Sequence, residues 1–275
     1  MPEIPELTVI AEILERRVVG RRITGVQVLK PLVLRNLIPA ESPESVLVGR
    51  SLAAARRHGK FICLDLDAAD RHMVINFMLL GRLYLCDPTK RHLAKDHLAL
   101  DLDNGQQLRY HDEKTMGKVY LVADLGQVPG LLDTGPDALD PDLTLERFLE
   151  RLRPFRGEIK GVLTRGGCVA GIGNAYADEI LFRAGIYPFR KRYALSLEEQ
   201  TRLYHAMRDV LTESIPIVRE LMGDDMREKP RRFLAVHGKK GQPCPVCGGT
   251  ISEVRAARRG TNFCRTCQPG TLVRN

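Results

Sequence analysis

Apolar side chains in residues 5–19 (PELTVIAEILERRVV) fall at Leu7, Ile10, Ile13, Leu14 and Val18. That spacing predicts an amphipathic helix with Pro5 near its start and Gly20 at its end. From Ile23 to about Val122 the period changes to two. The runs ITGVQVLK, FICLDLD, MVINFML, RLYL, HLALDLD, QLRYH and KVYLV are separated by turn signals such as Asp103-Asn104-Gly105. Short strands with no long helix between them predict an antiparallel sandwich or barrel. Residues 126–142 (GQVPGLLDTGPDALDPD), rich in Gly, Pro and Asp, read as a linker. The 3.6-residue period then returns in LTLERFLERLR, GEIKGVLTR, NAYADEILFRAG and SLEEQTRLYHAMRDVLTESIPIVRELMG. Ser196 and Glu199 fit a capping box, and Pro216 predicts a kink or break in the last helix. The final fifty residues lose helical periodicity. The pattern predicts an α+β multidomain chain: a β-sandwich domain with an N-terminal helix over 1–125, a linker over 126–142, a helical domain over 143–225 and a cysteine-bearing segment over 226–275.

At 275 residues the chain is long enough for two cores. No apolar run reaches the length of a membrane span and the N-terminus lacks a cleavable-signal pattern, so the expectation is a cytoplasmic or nucleoid-associated protein with no membrane partner. The net charge of +8 is unevenly placed: residues 226–275 hold eleven Lys/Arg against two Asp/Glu. A basic segment of this kind fits a polyanion, nucleic acid first, and equally a solvated charged surface.

Of seven cysteines, Cys63, Cys86 and Cys168 lie among apolar neighbours and read as small buried residues. The other four form Cys244-Pro-Val-Cys247 and Cys264-Arg-Thr-Cys267, separated by sixteen residues. In a reducing compartment this spacing points to one structural zinc per chain, held tetrahedrally with no open position. The loop between the pairs carries Arg255, Arg258 and Arg259, suited to gripping phosphates. A second motif, Gly171-Ile172-Gly173-Asn174, enters a helix, where open backbone N–H groups and the helix dipole fit a phosphate; simple helix packing fits it as well. Lys160, one helix earlier, adds a cation and favours the phosphate. A third, Arg56-Arg57-His58-Gly59-Lys60-Phe61, sits at a strand-to-strand turn and is a candidate nucleic-acid backbone contact. Finally, removal of Met1 would leave Pro2 as an N-terminal secondary amine beside the carboxylate of Glu3. That is the pairing needed for imine chemistry at an aldehyde-level carbon. Taken alone, the same residues read as a flexible start with Pro5 in a first helical turn.

Pro-Glu-Ile-Pro-Glu at 2–6, the Gly59-Lys60 turn, Gly-Ile-Gly-Asn-Ala-Tyr-Ala-Asp-Glu at 171–179 and a four-cysteine finger with Arg-Gly-Thr inside it lie in the order of one family. The chain resembles the formamidopyrimidine-DNA glycosylase / endonuclease VIII family, end to end. The resemblance implies a catalytic β-sandwich, a helix-two-turn-helix DNA-binding domain and a zinc finger. The implied activity is base-excision repair: a monomer acts on damaged double-stranded DNA as a glycosylase and abasic-site lyase. By the same resemblance Pro2 is the nucleophile at C1′, Glu3 the general acid/base, Glu6 a further acid near it, and Lys60 the contact to the phosphate beside the lesion. Asn174, Arg259 and Lys160 match the residues that hold the DNA backbone.

Three departures bear on substrate. Where relatives specific for oxidised purines carry Arg and Phe to fill the vacated stack, this chain has Lys114 and Met116. An apolar wedge from Met78, Leu79 and Leu80 takes their place, as aliphatic side chains are adequate to unstack a step. Arg165-Gly166 replaces the usual Asp-Gln, and residues 224–242 are short and basic where such relatives have a longer loop over the flipped base. The expectation is an enzyme not restricted to 8-oxoguanine. The alternative is a catalytically weak protein that binds lesions or abasic sites on the same scaffold.

Overall fold

Pro5 stands in the first turn of α1 (Ile4–Arg17), where its missing N–H has no helical partner to lose. Residues 1–256 and 259–270 are described in this computed structural model, with the side chains of residues 256 and 259 outside that description; the expectation for Arg258 and for the Arg259 side chain therefore lies outside the described residues. α1 buries Ile4, Leu7, Ile10, Ile13 and Leu14, each contributing roughly 1.5–3 kcal/mol by leaving water. The chain divides into two units, residues 1–133 with 218–229, and residues 134–217 with 230 onward.

The first unit holds β1 (Ile23–Val28), β2 (Leu34–Asn36), a short α2 (Pro43–Leu47), β3 (Leu52–His58), β4 (Phe61–Leu66), β5 (His72–Asn76), β6 (Gly81–Cys86), β7 (Asp96–Leu102), β8 (Gln107–Asp112) and β9 (Lys118–Val122). They form a four-stranded sheet, β1-β7-β8-β6, and a five-stranded sheet, β2-β9-β5-β4-β3. Every pairing in the two sheets is antiparallel except β2 with β9. The seven patterned runs each contain one strand. β2 and β3 lie outside them: LAAARRH carries no β-branched residue, and β3 exists because β4 pairs with it. α1 packs on β3 and β4.

Register decides what shares an end of the five-stranded sheet. His58 pairs with Phe61 across a two-residue turn, in which Gly59 has φ +53°. Phe61 in turn pairs with Asn76, the last residue of β5. The Lys60 turn and the β5–β6 connection are therefore neighbours.

The four predicted helices are α3 (Leu145–Leu152), α4 (Ile159–Thr164) and α5 (Asn174–Arg183) in the second unit, and α6 (Leu197–Met222), which begins in the second unit and ends in the first. Ser196 and Glu199 make both capping-box bonds at the start of α6: Ser196 N–H donates to Glu199 Oε2 at 2.8 Å, and Glu199 N–H to Ser196 Oγ at 3.2 Å. Pro216 does not break α6. It removes one donor from the ladder, and the helical bonds on either side carry the helix through. Within the 126–142 stretch, Val128 and Leu131 are buried in the first unit. Gly135 belongs to the second, close against the 166–168 backbone: its N–H donates to Gly166 O at 2.7 Å, and a Cβ there would lie 2.5 Å from Cys168 O. The segment ends in the hairpin β10 (Ile251–Ala256) and β11 (Arg259–Cys264). Among the described residues no helix is long and apolar enough to cross a membrane.

Candidate active site and nucleic-acid interface

Glu3 and Glu6 are both buried, at 2% and 0% exposure. They form a reciprocal capping box at the mouth of α1: the Glu3 carboxylate accepts from Glu6 N–H, and Glu6 Oε2 accepts from Glu3 N–H at 2.8 Å. Two orphan helix donors are thereby satisfied, and two carboxylates are fixed next to Pro2, itself buried. The start of the chain is held in place. Met1 precedes Pro2 here, so the Pro2 nitrogen is an amide, and the Met1 amino group donates to Leu79 O at 3.1 Å. The N-terminus thus lies against the β5–β6 connection, whose neighbour by register is the Lys60 turn. Lys60 is partly buried. Arg57 braces that turn against α1, its Nε donating to Thr8 Oγ1 at 3.0 Å and a guanidinium N–H to Gly59 O at 3.3 Å. Glu3 and Glu6 share the mouth of α1 with Pro2, and Lys60 stands on the turn that register places beside the β5–β6 connection.

The Met78–Leu80 segment is a tight turn. Met78 has φ +45°, Asn76 Oδ1 accepts from Met78 N–H at 3.0 Å, and Gly81 N–H donates to Phe77 O at 2.9 Å. Leu79 projects at 46% exposure while Met78 and Leu80 are partly buried. The Lys114–Met116 loop is a second tight turn. Asp112 accepts from Lys114 N–H at 3.0 Å and from Gly117 N–H at 2.7 Å, and Met116 stands 41% exposed. Tyr110 lies under both turns. A Cβ on Gly81 would come within 2.5 Å of Tyr110 Oη, and one on Gly117 would overlap that oxygen. Burial raises the Tyr110 phenol well above its ordinary value, and its hydroxyl has no partner among the described residues.

In the second unit, Gly171 at φ +93° turns the chain into α5. Asn174 opens that helix and donates from Nδ2 to Gly260 O, in the zinc-site hairpin, at 2.8 Å. Lys160 is 8% exposed and reaches the same hairpin, donating to Gly260 O at 3.2 Å and to Thr261 Oγ1 at 2.9 Å. Its Nζ also lies 2.6 Å from Asp178 Oδ1. Asp178, fully buried, accepts from Asn262 N–H at 3.2 Å and pairs with His237 Nδ1 at 2.8 Å. Glu179 accepts three backbone N–H groups, from Ala235, Val236 and His237, at 2.7–2.9 Å. Burial raises its carboxyl above the ordinary value against the pull of those three donors. Sequence reasoning missed Asp178, Glu179 and His237. The signal was two adjacent acids in an otherwise apolar helix, which must be paired if buried. Arg165 caps α4, and Gly166 takes φ +83°, which suits glycine at that departure from the family pattern.

The Sγ atoms of Cys244, Cys247, Cys264 and Cys267 all lie within 4.8 Å of one another. Closer still are Cys244–Cys267 at 3.8 Å and Cys247–Cys264 at 3.4 Å. Tetrahedral zinc with ~2.3 Å bonds requires sulfur separations of about 3.8 Å, so four thiolates here form a closed structural zinc site. Phe263, at 5.3 Å from Tyr187 and 6.0 Å from Phe189, adds an aromatic anchor under the hairpin. Cys63 and Cys168 are elsewhere, and burial pushes both thiols up to about 11.

A β-sandwich with acids at its N-terminus, a glycine–asparagine helix entry and a four-cysteine hairpin together define a class of DNA-repair proteins. Sequence profiles agree over most of the chain. Residues 1–119 match the formamidopyrimidine-DNA glycosylase N-terminal domain, 134–223 its H2TH domain, and 241–270 the zinc finger found in that enzyme and in isoleucyl-tRNA synthetase. The formamidopyrimidine-DNA glycosylase of Symbiobacterium thermophilum is 37% identical, the match covering 98% of this chain and 90% of that protein. That of Pelotomaculum thermopropionicum is 34% identical over 98% and 99%. Among solved structures, the Lactococcus lactis enzyme with FAPY-dG-containing DNA is similar at TM-score 0.88 and 28% identity, over 98% of this chain and 100% of that one. The Thermus thermophilus enzyme is similar at 0.83 and 32%, over 97% and 98%. The chain belongs to the formamidopyrimidine-DNA glycosylase family.

Proposed function

We propose that Pro2, freed by removal of Met1, is the nucleophile with which this protein excises damaged bases. As a family member it is a base-excision DNA glycosylase with abasic-site lyase activity, and its macromolecular partner is DNA. The observation that carries the assignment of residues is the buried Glu3–Glu6 box at the mouth of α1. It holds the N-terminus rigidly and keeps a carboxylate within one residue of the amine.

The amine attacks C1′, the base departs, and ring opening yields a cationic iminium, an electron sink for the elimination that follows. Glu3 delivers the proton to the sugar oxygen and shuttles protons afterwards. Glu6 holds Glu3 in position. Lys60 binds the phosphate beside the lesion, while Asn174 and Arg259 hold the backbone of the same strand. Lys160 serves DNA binding through the hairpin it anchors. The reaction requires the nucleotide out of the stack, and Met78, Leu79 and Leu80 fill the space it leaves. Residues 1–125 carry the chemistry, 126–142 connect, and 143–225 and 226–275 bind DNA, in a cytoplasmic monomer. The aliphatic wedge and the short 224–242 segment favour ring-opened purines, oxidised pyrimidines and abasic sites over 8-oxoguanine alone.

Borohydride trapping on an abasic-site duplex tests the assignment. Wild type gives a covalent adduct, and an N-terminally extended variant or Pro2→Gly loses it. No adduct from mature wild type leaves the weak lesion-binding alternative. Preference for 8-oxoguanine opposite cytosine refutes the substrate reading.

A further inference from the structure

The segment following α6 is tied down at several points between Asp224 and Lys229. Asp224 pairs with Arg16 and Arg17, and Met226 is 2% exposed. Arg227 pairs with Asp225 at 2.7 Å, lies 5.5 Å over the Tyr84 ring, and accepts at its carbonyl from Arg82 at 2.7 Å. This chain of contacts delivers Lys229 to the tight turn between β5 and β6, where its Nζ donates to Leu79 O at 3.0 Å. The acceptor is the same oxygen that takes the Met1 amino group at 3.1 Å. Two cationic nitrogens therefore converge on one carbonyl.

The turn needs such support. Met78 holds φ +45°, a conformation that disfavours a side chain. Two bonds close the turn, Met78 N–H to Asn76 Oδ1 and Gly81 N–H to Phe77 O, and the Leu79 carbonyl ties it to the N-terminus. Once Met1 is removed, its amino group no longer occupies that oxygen, while a charge-assisted bond from Lys229 persists.

We propose that Lys229 is a positioning residue, holding the Leu79 carbonyl so that the Met78–Leu80 turn keeps its conformation and its separation from the N-terminal amine. Its kinetic consequence rests on the proposed function; the pin itself does not. A phosphate-contacting lysine would instead raise affinity and leave the turn alone.

Hydrogen–deuterium exchange of mature wild type, Lys229→Met and Lys229→Arg provides the direct test. The amides of residues 77–81 should exchange about fivefold faster in Lys229→Met and at the wild-type rate in Lys229→Arg, as expected for loss of one part-exposed charged hydrogen bond. On abasic-site DNA at saturation, the trapping rate of Lys229→Met should fall by a similar factor with Kd within about twofold, and Lys229→Arg should restore it. Unchanged exchange in Lys229→Met overturns the proposal, as does a rise in Kd with a reduced salt slope and an intact saturated rate. Absence of trapping by wild type would strike the functional reading and leave the exchange result to decide the pin.

Discussion

Lys160 Nζ lies 2.6 Å from Asp178 Oδ1, and both side chains are buried beneath the zinc-site hairpin. The same nitrogen donates to Gly260 O and Thr261 Oγ1, so a lysine positioned by sequence as a phosphate ligand is bound on three sides by protein. Lys160→Met should therefore leave Asp178 as a buried charge relieved, among the described residues, by His237 and the Asn262 N–H. Breaking such a pair from one side costs about 3–5 kcal/mol. The expected result is a lower melting temperature, faster zinc loss to a chelator and weak DNA binding. A variant with wild-type zinc retention and a salt slope reduced by about one would show a direct phosphate contact instead.

Glu3 caps α1 and, in the proposed function, transfers protons, and one substitution separates the two. Glu3→Gln keeps an oxygen to accept Glu6 N–H and so should change stability by less than about 1 kcal/mol. It removes the carboxylate, and single-turnover excision should fall by about a hundredfold, within the usual range for loss of an acid/base group. Excision at the wild-type rate would move the proton-transfer role to another residue.

Gly117 is required by Tyr110. A Cβ there overlaps the phenol oxygen and approaches Asn76 O to 2.9 Å, so Gly117→Ala should destabilise by about 1–3 kcal/mol. Tyr110→Phe removes a buried hydroxyl that has no partner among the described residues, and should be neutral or slightly stabilising. Combined, the two should recover part of the alanine loss. Strict additivity in urea unfolding would show that the backbone, not the hydroxyl, is the obstacle.

Glu179 should give stability a pH signature. Its folded-state carboxyl is raised, foremost by burial, so the native protein binds this proton more tightly than the unfolded chain does. The corresponding stability is fully present below the unfolded value of about 4.3 and is lost as pH rises through the folded value. Relative to Glu179→Gln, which cannot ionise, wild type should lose stability as pH rises from about 4.5. A difference independent of pH would mean that the three backbone donors cancel the cost of burial.

Local pattern alone was enough for much of the fold. Periodicity placed α1, the seven patterned strands and the four later helices, because apolar positions repeat where an element meets a core, and side-chain caps mark the starts of α1, α3 and α6. The cysteine spacing placed the zinc site for the same reason, since two short hairpin turns bring each pair together locally. β3 was hidden because an Ala- and Arg-rich strand is stabilised by its pairing with β4, not by its own composition. Pro216 does not end α6, because the helical bonds on either side outweigh one lost hydrogen bond.

The site followed the same division. Sequence by itself determined the chemical inventory: an amine with an adjacent acid, a lysine on a glycine turn, and four thiols. Only tertiary structure decided that the Leu79 carbonyl meets both Met1 and Lys229, and that Asn174 and Lys160 grasp Gly260. These contacts join positions up to 150 residues apart. They depend on strand register, burial and the pairing of buried charge, and none of these has a period along the chain.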